Sequence, residues 1–295
     1  MKIIDLQDRF KHYALYERGI TAKAVKSVSA SLRMLCDHSG TEELRDLDAD
    51  LIRDFLHYGR EVKLWKPKTF HNHWQNFKTF FNWCLKNQLI RKNPVAGIEK
   101  PKLEKALPRF ISREDAQKVL YYAEWHSWRY SLEKYRNLAI IATFIFTGLR
   151  LQELLNLKIE NVNLNSRDII VKMGKGKKDR IVPIHSRLVP ILNRYLEEKR
   201  KAGKMSMWFF SGIKSDKKLY PKDVQRICRK VSTASGVYFT PHCLRHTFGR
   251  LMAEADFGLY KLKEVMGHEQ LTTTQRYLSA SIPSIKKSFA QVDIL

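Results

Sequence analysis

Apolar residues recur at helical spacing through the first third of the chain. Leu6, Phe10, Tyr13 and Ala14 line one face of a predicted helix that opens at Asp5 and ends at Gly19. Thr21 is a good N-cap for a second helix, through Val25, Val28 and Leu32, and Asp48 for a third, carrying Leu51, Ile52, Phe55 and Leu56. Pro67 opens a fourth, whose stripe of Phe70, Trp74, Phe77, Phe80, Phe81 and Trp83 reads as core; Asn93-Pro94 stops the pattern. Residues 1–97 therefore read as one helical domain. The period lapses over 98–110, a charged stretch with Pro101 and Pro108, which is expected to be an interdomain linker. A second domain, 111–295, begins with the capping-box pattern Ser112-Arg113-Glu114-Asp115. An apolar helix follows from Tyr135 to Thr147. Asp168 to Met173 and Arg180 to Ile184 read as a β-hairpin across a basic, glycine-containing turn, and helical patterns return from Val189. The fold class expected is mainly α with a small β-sheet, in two domains: a helical one and a mixed α+β one.

Charge changes this picture more than composition does. Of 295 residues, 54 are Lys or Arg and 30 are Asp or Glu, a formal net charge of +24, and so one-sided an excess calls for a polyanionic partner. Lys68, His71, His73, Gln75 and Lys78, interleaved with the aromatics of the fourth helix, are candidates to face a DNA groove or its phosphates. No apolar run approaches the ~18 residues that a membrane span needs, and Met1 to Asp8 is charged too early for a signal peptide. Cys36, Cys84, Cys228 and Cys243 show no metal-ligand spacing and read as reduced thiols. Cys243, beside His242, reads as a small buried apolar residue rather than a nucleophile. The chain is therefore expected to be cytoplasmic and nucleoid-associated, with no membrane contact.

Four blocks carry candidate chemistry: Thr147-Gly148-Leu149-Arg150-Leu151-Gln152-Glu153-Leu154; Gly174-Lys175-Gly176 with Arg180-Ile181-Val182-Pro183; Pro241-His242-Cys243-Leu244-Arg245-His246-Thr247-Phe248; and Met266-Gly267-His268 with Thr273-Thr274-Gln275-Arg276-Tyr277. In their residues, order and span of about 130 residues they resemble the tyrosine recombinases, the phage integrase and Xer class. The resemblance implies a SAM-like helical core-binding domain ahead of a catalytic domain. It implies double-stranded DNA with a specific recombination site as partner, and a homo-tetramer, or a pairing with a related recombinase, on two duplexes.

The same resemblance assigns roles. A tyrosine hydroxyl, with pKa near ~10, is a poor nucleophile and needs cations around the phosphate and an acid/base group nearby. Tyr277 would be the nucleophile, Tyr260 its nearest rival, which lacks the Thr-Thr-x-x-Tyr setting. Arg150 and Arg245 would hold the nonbridging oxygens, since guanidinium forks donate two parallel hydrogen bonds and stay charged. His242, one turn before Arg245 on the same helix face, would assist proton transfer. His268 would hydrogen-bond the phosphate. Lys175 would protonate the leaving 5′ oxygen, a role suited to an amine whose pKa cationic neighbours lower, with Lys172, Lys177 and Lys178 as its rivals. Glu153 would orient the cations, and His246 would be structural, donating to backbone. The cations do what Mg²⁺ does elsewhere, so neither metal nor other cofactor is implied. The short tail Ile282 to Phe289 would pack into a neighbouring subunit, and the little chain ahead of the core-binding region predicts no separate arm-binding domain. A type IB topoisomerase and a catalytically silent DNA-binding protein on the same scaffold remain open, as do Xer-like resolution of chromosome or plasmid dimers and integration or excision of a mobile element.

Overall fold

The computed structural model describes residues 1–103, 108–172 and 179–267, in two compact units, Met1–Ala106 and Leu107–Leu295. In the first unit, α1 (Ile3–His12) buries Ile3, Leu6 and Phe10 and then widens into a π-helical turn, Tyr13–Glu17, before Gly19. The expected single helix is thus two coils of different pitch. α2 (Ala22–Ser39) starts where Thr21 Oγ1 accepts the Ala24 N–H at 3.3 Å, and α3 (Ala49–Glu61) where Asp48 Oδ1 accepts the Leu51 N–H at 2.8 Å. Each cap satisfies a first-turn donor that the helix itself leaves unpaired. α4 (Pro67–Lys86) carries proline in its first turn and sinks the whole aromatic stripe, Phe70 to Trp83, into the unit's core.

Three of the polar residues on α4 that are candidates for DNA are engaged within this unit. His73 stacks on Trp65, centroids 4.2 Å apart, and His71 Nε2 meets the Pro101 carbonyl at 2.7 Å. Lys78 covers the Trp74 ring, while Lys68 and Gln75 are exposed. The stretch read as linker is held to α4 as far as Pro101: Ile98 is buried in this core, and Trp74 Nε1 donates to its carbonyl at 2.9 Å.

The second unit is organised around α6 (Ser131–Thr147). Twelve of its residues are buried, eight of them apolar, so it is enclosed on every side, with Arg136, Asn137, Thr143 and Thr147 as the buried polar exceptions. Around it pack α5 (Arg113–Trp125), which starts at the Ser112 cap on Asp115 N–H, α8 (Val189–Lys201), α9 (Pro221–Ser235) and α10 (Pro241–Glu254). A short α7 (Leu151–Leu155) leads to an antiparallel sheet of β1 (Val162–Asn163), β2 (Asp168–Val171) and β3 (Arg180–Pro183) in that order. In the β2–β3 pair, Ile169 faces Val182 and Val171 faces Arg180; Ile169, Val171 and Val182 point into the core, while Ile170 and Ile181 point out. The two-residue β1 is an element the pattern did not predict. α11 (Leu259–Met266) follows α10 and packs against both it and β3. No helix among the described residues is long and apolar enough to cross a membrane.

Candidate active site

α6 ends at Gly148, whose φ of +62° is left-handed and whose missing side chain makes room for Phe248: a Cβ there would lie 2.3 Å from the Phe248 ring. The turn buries Leu149 and presents Arg150 as the N-cap of α7. Arg150 donates through its backbone N–H to Glu153 Oε2 at 2.7 Å and through Nη1 to Oε1 at 2.8 Å; its Nη2 donates to the Gly267 carbonyl at 2.6 Å.

The same carboxylate takes a second fork. Arg180, the first residue of β3, donates from Nη1 to Oε1 at 2.9 Å and from Nη2 to Oε2 at 2.8 Å, and its Nε donates to the Val265 carbonyl at 2.9 Å. Arg245, one turn into α10, donates from Nη1 to the Gly148 carbonyl and from Nη2 to the Met266 carbonyl at 2.7 Å.

Three arginines from three different elements thus converge on three consecutive carbonyls, 265, 266 and 267, at the end of α11. The attraction is physical: the last carbonyls of a helix lack intrahelical partners and carry the negative end of its dipole. Exposure separates the three. Arg245 is 4% exposed and the Arg180 side chain 10%, whereas the Arg150 side chain is 40% exposed. Two of the guanidiniums, Arg150 and Arg180, share the Glu153 carboxylate, with Arg150 the one at the surface. Burial pushes the Glu153 carboxyl up, but the fork from Arg180, the Arg150 backbone N–H, the charge of Arg180 and the Arg150 side-chain hydrogen bond outweigh it and hold the carboxyl at about 2. Glu153 is therefore anionic at any working pH and is a buried bridge rather than a solvated i,i+3 partner.

His242 lies in the first turn of α10, which Thr240 caps by accepting the Cys243 N–H at 3.2 Å. Partial burial, and secondarily the charge of Arg245, lowers its pKa from 6.5, so the ring stays neutral and able to accept a proton. His246 was expected to pair with backbone. The partner the structure describes is His242, with the Nε2 atoms 2.9 Å apart, because residues four apart on a helix are side by side. Cys243 is buried and its thiol is pushed up, chiefly by that burial, as suits an inert residue.

The structure therefore brings together Arg150, Glu153 and Arg245 and sets His242 on the same helix as Arg245. Lys175, His268 and Tyr277, with Lys177, Lys178 and the tail, lie outside the described residues. Of the rivals, Lys172 is exposed and 3.7 Å from Glu160, and Tyr260 is exposed in the first turn of α11. An open cleft of about 480 Å³ between Trp128, Arg136, Gly212 and Tyr220 contains none of the predicted residues.

Arg180 is the participant that sequence reasoning missed. One signal was available: it alternates with buried Val182, so it occupies an inward-facing strand position, where a charge requires a buried partner.

Comparisons with known proteins identify the family and the fold. Residues 109–282 match the model of the phage integrase family, and residues 6–103 that of the phage integrase SAM-like domain. A protein of Pseudothermotoga lettingae named tyrosine recombinase is 32% identical over 279 residues, 91% of each chain. Tyrosine recombinase XerD of Listeria monocytogenes serovar 1/2a is 28% identical over 97% of this chain and 98% of its own. Among solved structures, the integrase of transposon Tn1549 in complex with a circular intermediate DNA shares the fold, with a TM-score of 0.76 at 18% identity over 99% of this chain and 100% of the other.

Proposed function

The chain belongs to the phage integrase family of tyrosine recombinases, enzymes that break and rejoin DNA strands at specific sites through a tyrosine nucleophile, and from that premise we propose that Tyr277 is the nucleophile, served by Arg150, Lys175, His242, Arg245 and His268, with Glu153 in support. In this reading the Tyr277 oxygen attacks the scissile phosphorus as the bond to the 5′ oxygen breaks. His242 assists removal of the tyrosine proton, and Lys175 gives a proton to the leaving oxygen. Arg150, Arg245 and His268 hold the nonbridging oxygens as charge builds on them. The products are a 3′-phosphotyrosyl link and a free 5′ hydroxyl. The 5′ hydroxyl of a partner duplex then attacks the link, so the phosphodiester is conserved and no nucleotide is consumed.

The observation that carries this reading is the convergence of Arg150 and Arg245, both already oriented by backbone carbonyls, on Gly267 and Met266, the two residues that precede His268. Guanidiniums fixed before the substrate arrives lose little entropy on binding a phosphate. The formal charge of +24 supports duplex DNA as the partner. The similarity over 97% of this chain to a protein named tyrosine recombinase XerD supports an Xer-like role, which would be resolution of DNA dimers by four copies on two duplexes.

The test is covalent trapping. The protein is incubated with a nicked suicide duplex carrying the site recovered from a random library by binding, and wild type is compared with Tyr277→Phe. A denaturation-resistant adduct present in wild type and absent in the variant is expected. A variant that still forms the adduct removes Tyr277 from the role, and a wild type that binds the duplex without forming an adduct points to a silent binder.

A further inference from the structure

Arg180 has no part in the chemistry just proposed, yet its guanidinium is fully committed. Its Nη1 and Nη2 grip both oxygens of Glu153, and its Nε holds the Val265 carbonyl. All three guanidine nitrogens are thus engaged, and the side chain is almost wholly enclosed. A separate feature is fitted to it. Gly267 has a left-handed φ of +63°, and a Cβ there would lie 3.0 Å from Arg180 Nη1 and 3.1 Å from its Cδ and Cζ. The guanidinium lies against the backbone of the residue that precedes His268 in the chain. Arg180 therefore ties β3, α7 and the end of α11 to one another. It also stands five residues after Lys175, at the end of the stretch that joins β2 to β3.

The consequence for Arg150 follows from the shared carboxylate. With Arg180 present, each Glu153 oxygen takes a donor from Arg180, and Arg150 adds one side-chain bond and its backbone N–H. Without Arg180, the carboxylate would have only Arg150 to neutralise it, and both oxygens would compete with a phosphate for that guanidinium. The Val265 carbonyl would lose its partner as well, loosening the direction in which the chain leaves α11.

Resting on the tyrosine-recombinase reading of this site, we propose that Arg180 is a positioning residue for strand cleavage: it touches neither the phosphate nor the nucleophile, but holds Glu153, and through it Arg150, together with the end of α11, in the arrangement that cleavage needs. A misplacement of about 1 Å at a reacting centre costs on the order of 100-fold in rate. Lysine cannot replace the fork, because it is a point charge without the planar pair of donors.

The experiment measures single-turnover adduct formation on the nicked suicide duplex, at saturating protein, for wild type, Arg180→Lys and Arg180→Ala, with DNA affinity and thermal unfolding measured on the same samples. DNA affinity within about 3-fold of wild type is expected, because the phosphate-facing cations remain. Cleavage slower by about 10- to 100-fold is expected for both variants. Methylguanidinium added to Arg180→Ala should restore part of the rate. Losing its main fork, Glu153 should take up a proton at a higher pH than in wild type, so the variant's rate should fall more steeply on acidification than the wild type's. Arg180→Lys cleaving within about 2-fold of wild type overturns the proposal. So does a rate loss that follows unfolding or weakened DNA binding, with no methylguanidinium rescue and no change in pH profile. A wild type that forms no adduct, or a Tyr277→Phe variant that still forms one, overturns the reading of the site itself. Undiminished Arg180→Lys cleavage alongside a Tyr277-dependent adduct overturns the Arg180 proposal alone.

Discussion

Replacing Glu153 with glutamine removes the one anion between two guanidiniums while keeping size and shape. The magnitude follows from how firmly the fold holds the carboxyl ionised, at about 2 against the usual 4.5. That difference corresponds to about 3 kcal/mol of differential stabilisation of the charged form. The sign is that of a lowered carboxyl: the contribution is complete above pH 4.5 and is lost as pH falls from there toward 2. Glutamine offers one oxygen in place of two and turns an N–H toward the arginines, so the variant should be less stable by about 3 kcal/mol at neutral pH. In a unit of 189 residues, Leu107 to Leu295, that is a fall in Tm of roughly 6–12 °C. Calorimetric scans of wild type and variant at neutral pH and at about pH 3 read both the size and the pH dependence. At about pH 3 the gap should shrink to roughly half, because wild type has by then lost part of its own advantage. A gap under about 1 kcal/mol at neutral pH, or one that does not change on acidification, refutes the reasoning, because Glu153 would then not be a buried bridge.

Three further outcomes are expected. Gly148→Ala combines a left-handed φ with a Cβ that would meet the Phe248 ring at 2.3 Å, and should cost more than about 2 kcal/mol in thermal unfolding; an unchanged Tm would contradict this. If His242 accepts the proton, the single-turnover cleavage rate should hold level as pH falls through 6.5 and decline only below it, because partial burial and the Arg245 charge keep the ring neutral there; a decline that begins above about pH 7 would count against His242 as the base. Cys84, Cys228 and Cys243 are buried with thiols raised chiefly by that burial, the first two to about 12, so native protein should resist alkylation at all three until it is denatured; rapid native labelling of Cys243 would show its thiol to be accessible.

What the sequence disclosed follows the range of each interaction. Thr21, Asp48 and Ser112 were legible as caps because a cap acts within three residues of itself. The hairpin was legible because two short β-branched runs, Ile169 to Val171 and Ile181 to Val182, flank a basic, glycine-containing turn, whereas which of their residues face the core is visible only in the fold. Two residues of β1 make no pattern, and the π-helical widening at Tyr13 to Glu17 leaves the same apolar spacing as an ordinary helix. The docking of Ile98 to Pro101 depends on Trp74 and His71, some thirty residues away, so a charged, proline-bearing stretch read as linker throughout. Arg150, Glu153 and Arg245 could be named in advance only because their blocks resemble a family's. That Arg150 and Arg245 meet the carbonyls of 267 and 266, with Glu153 held against Arg150, is a property of packing that no local spacing encodes. Arg180 illustrates the limit: its inward-facing register hinted at a buried partner, but only the fold identifies Glu153 and Val265 as what it holds.

Cleavage by this mechanism joins one residue, Tyr277, covalently to DNA. The most direct measurement digests the trapped adduct with nuclease and trypsin and locates the nucleotide remnant by mass spectrometry. Trypsin cuts after Arg276, so the account predicts the remnant on the peptide that begins at Tyr277, linked through a 3′ phosphate. A remnant on the peptide containing Tyr260, or on any residue other than Tyr277, would contradict it.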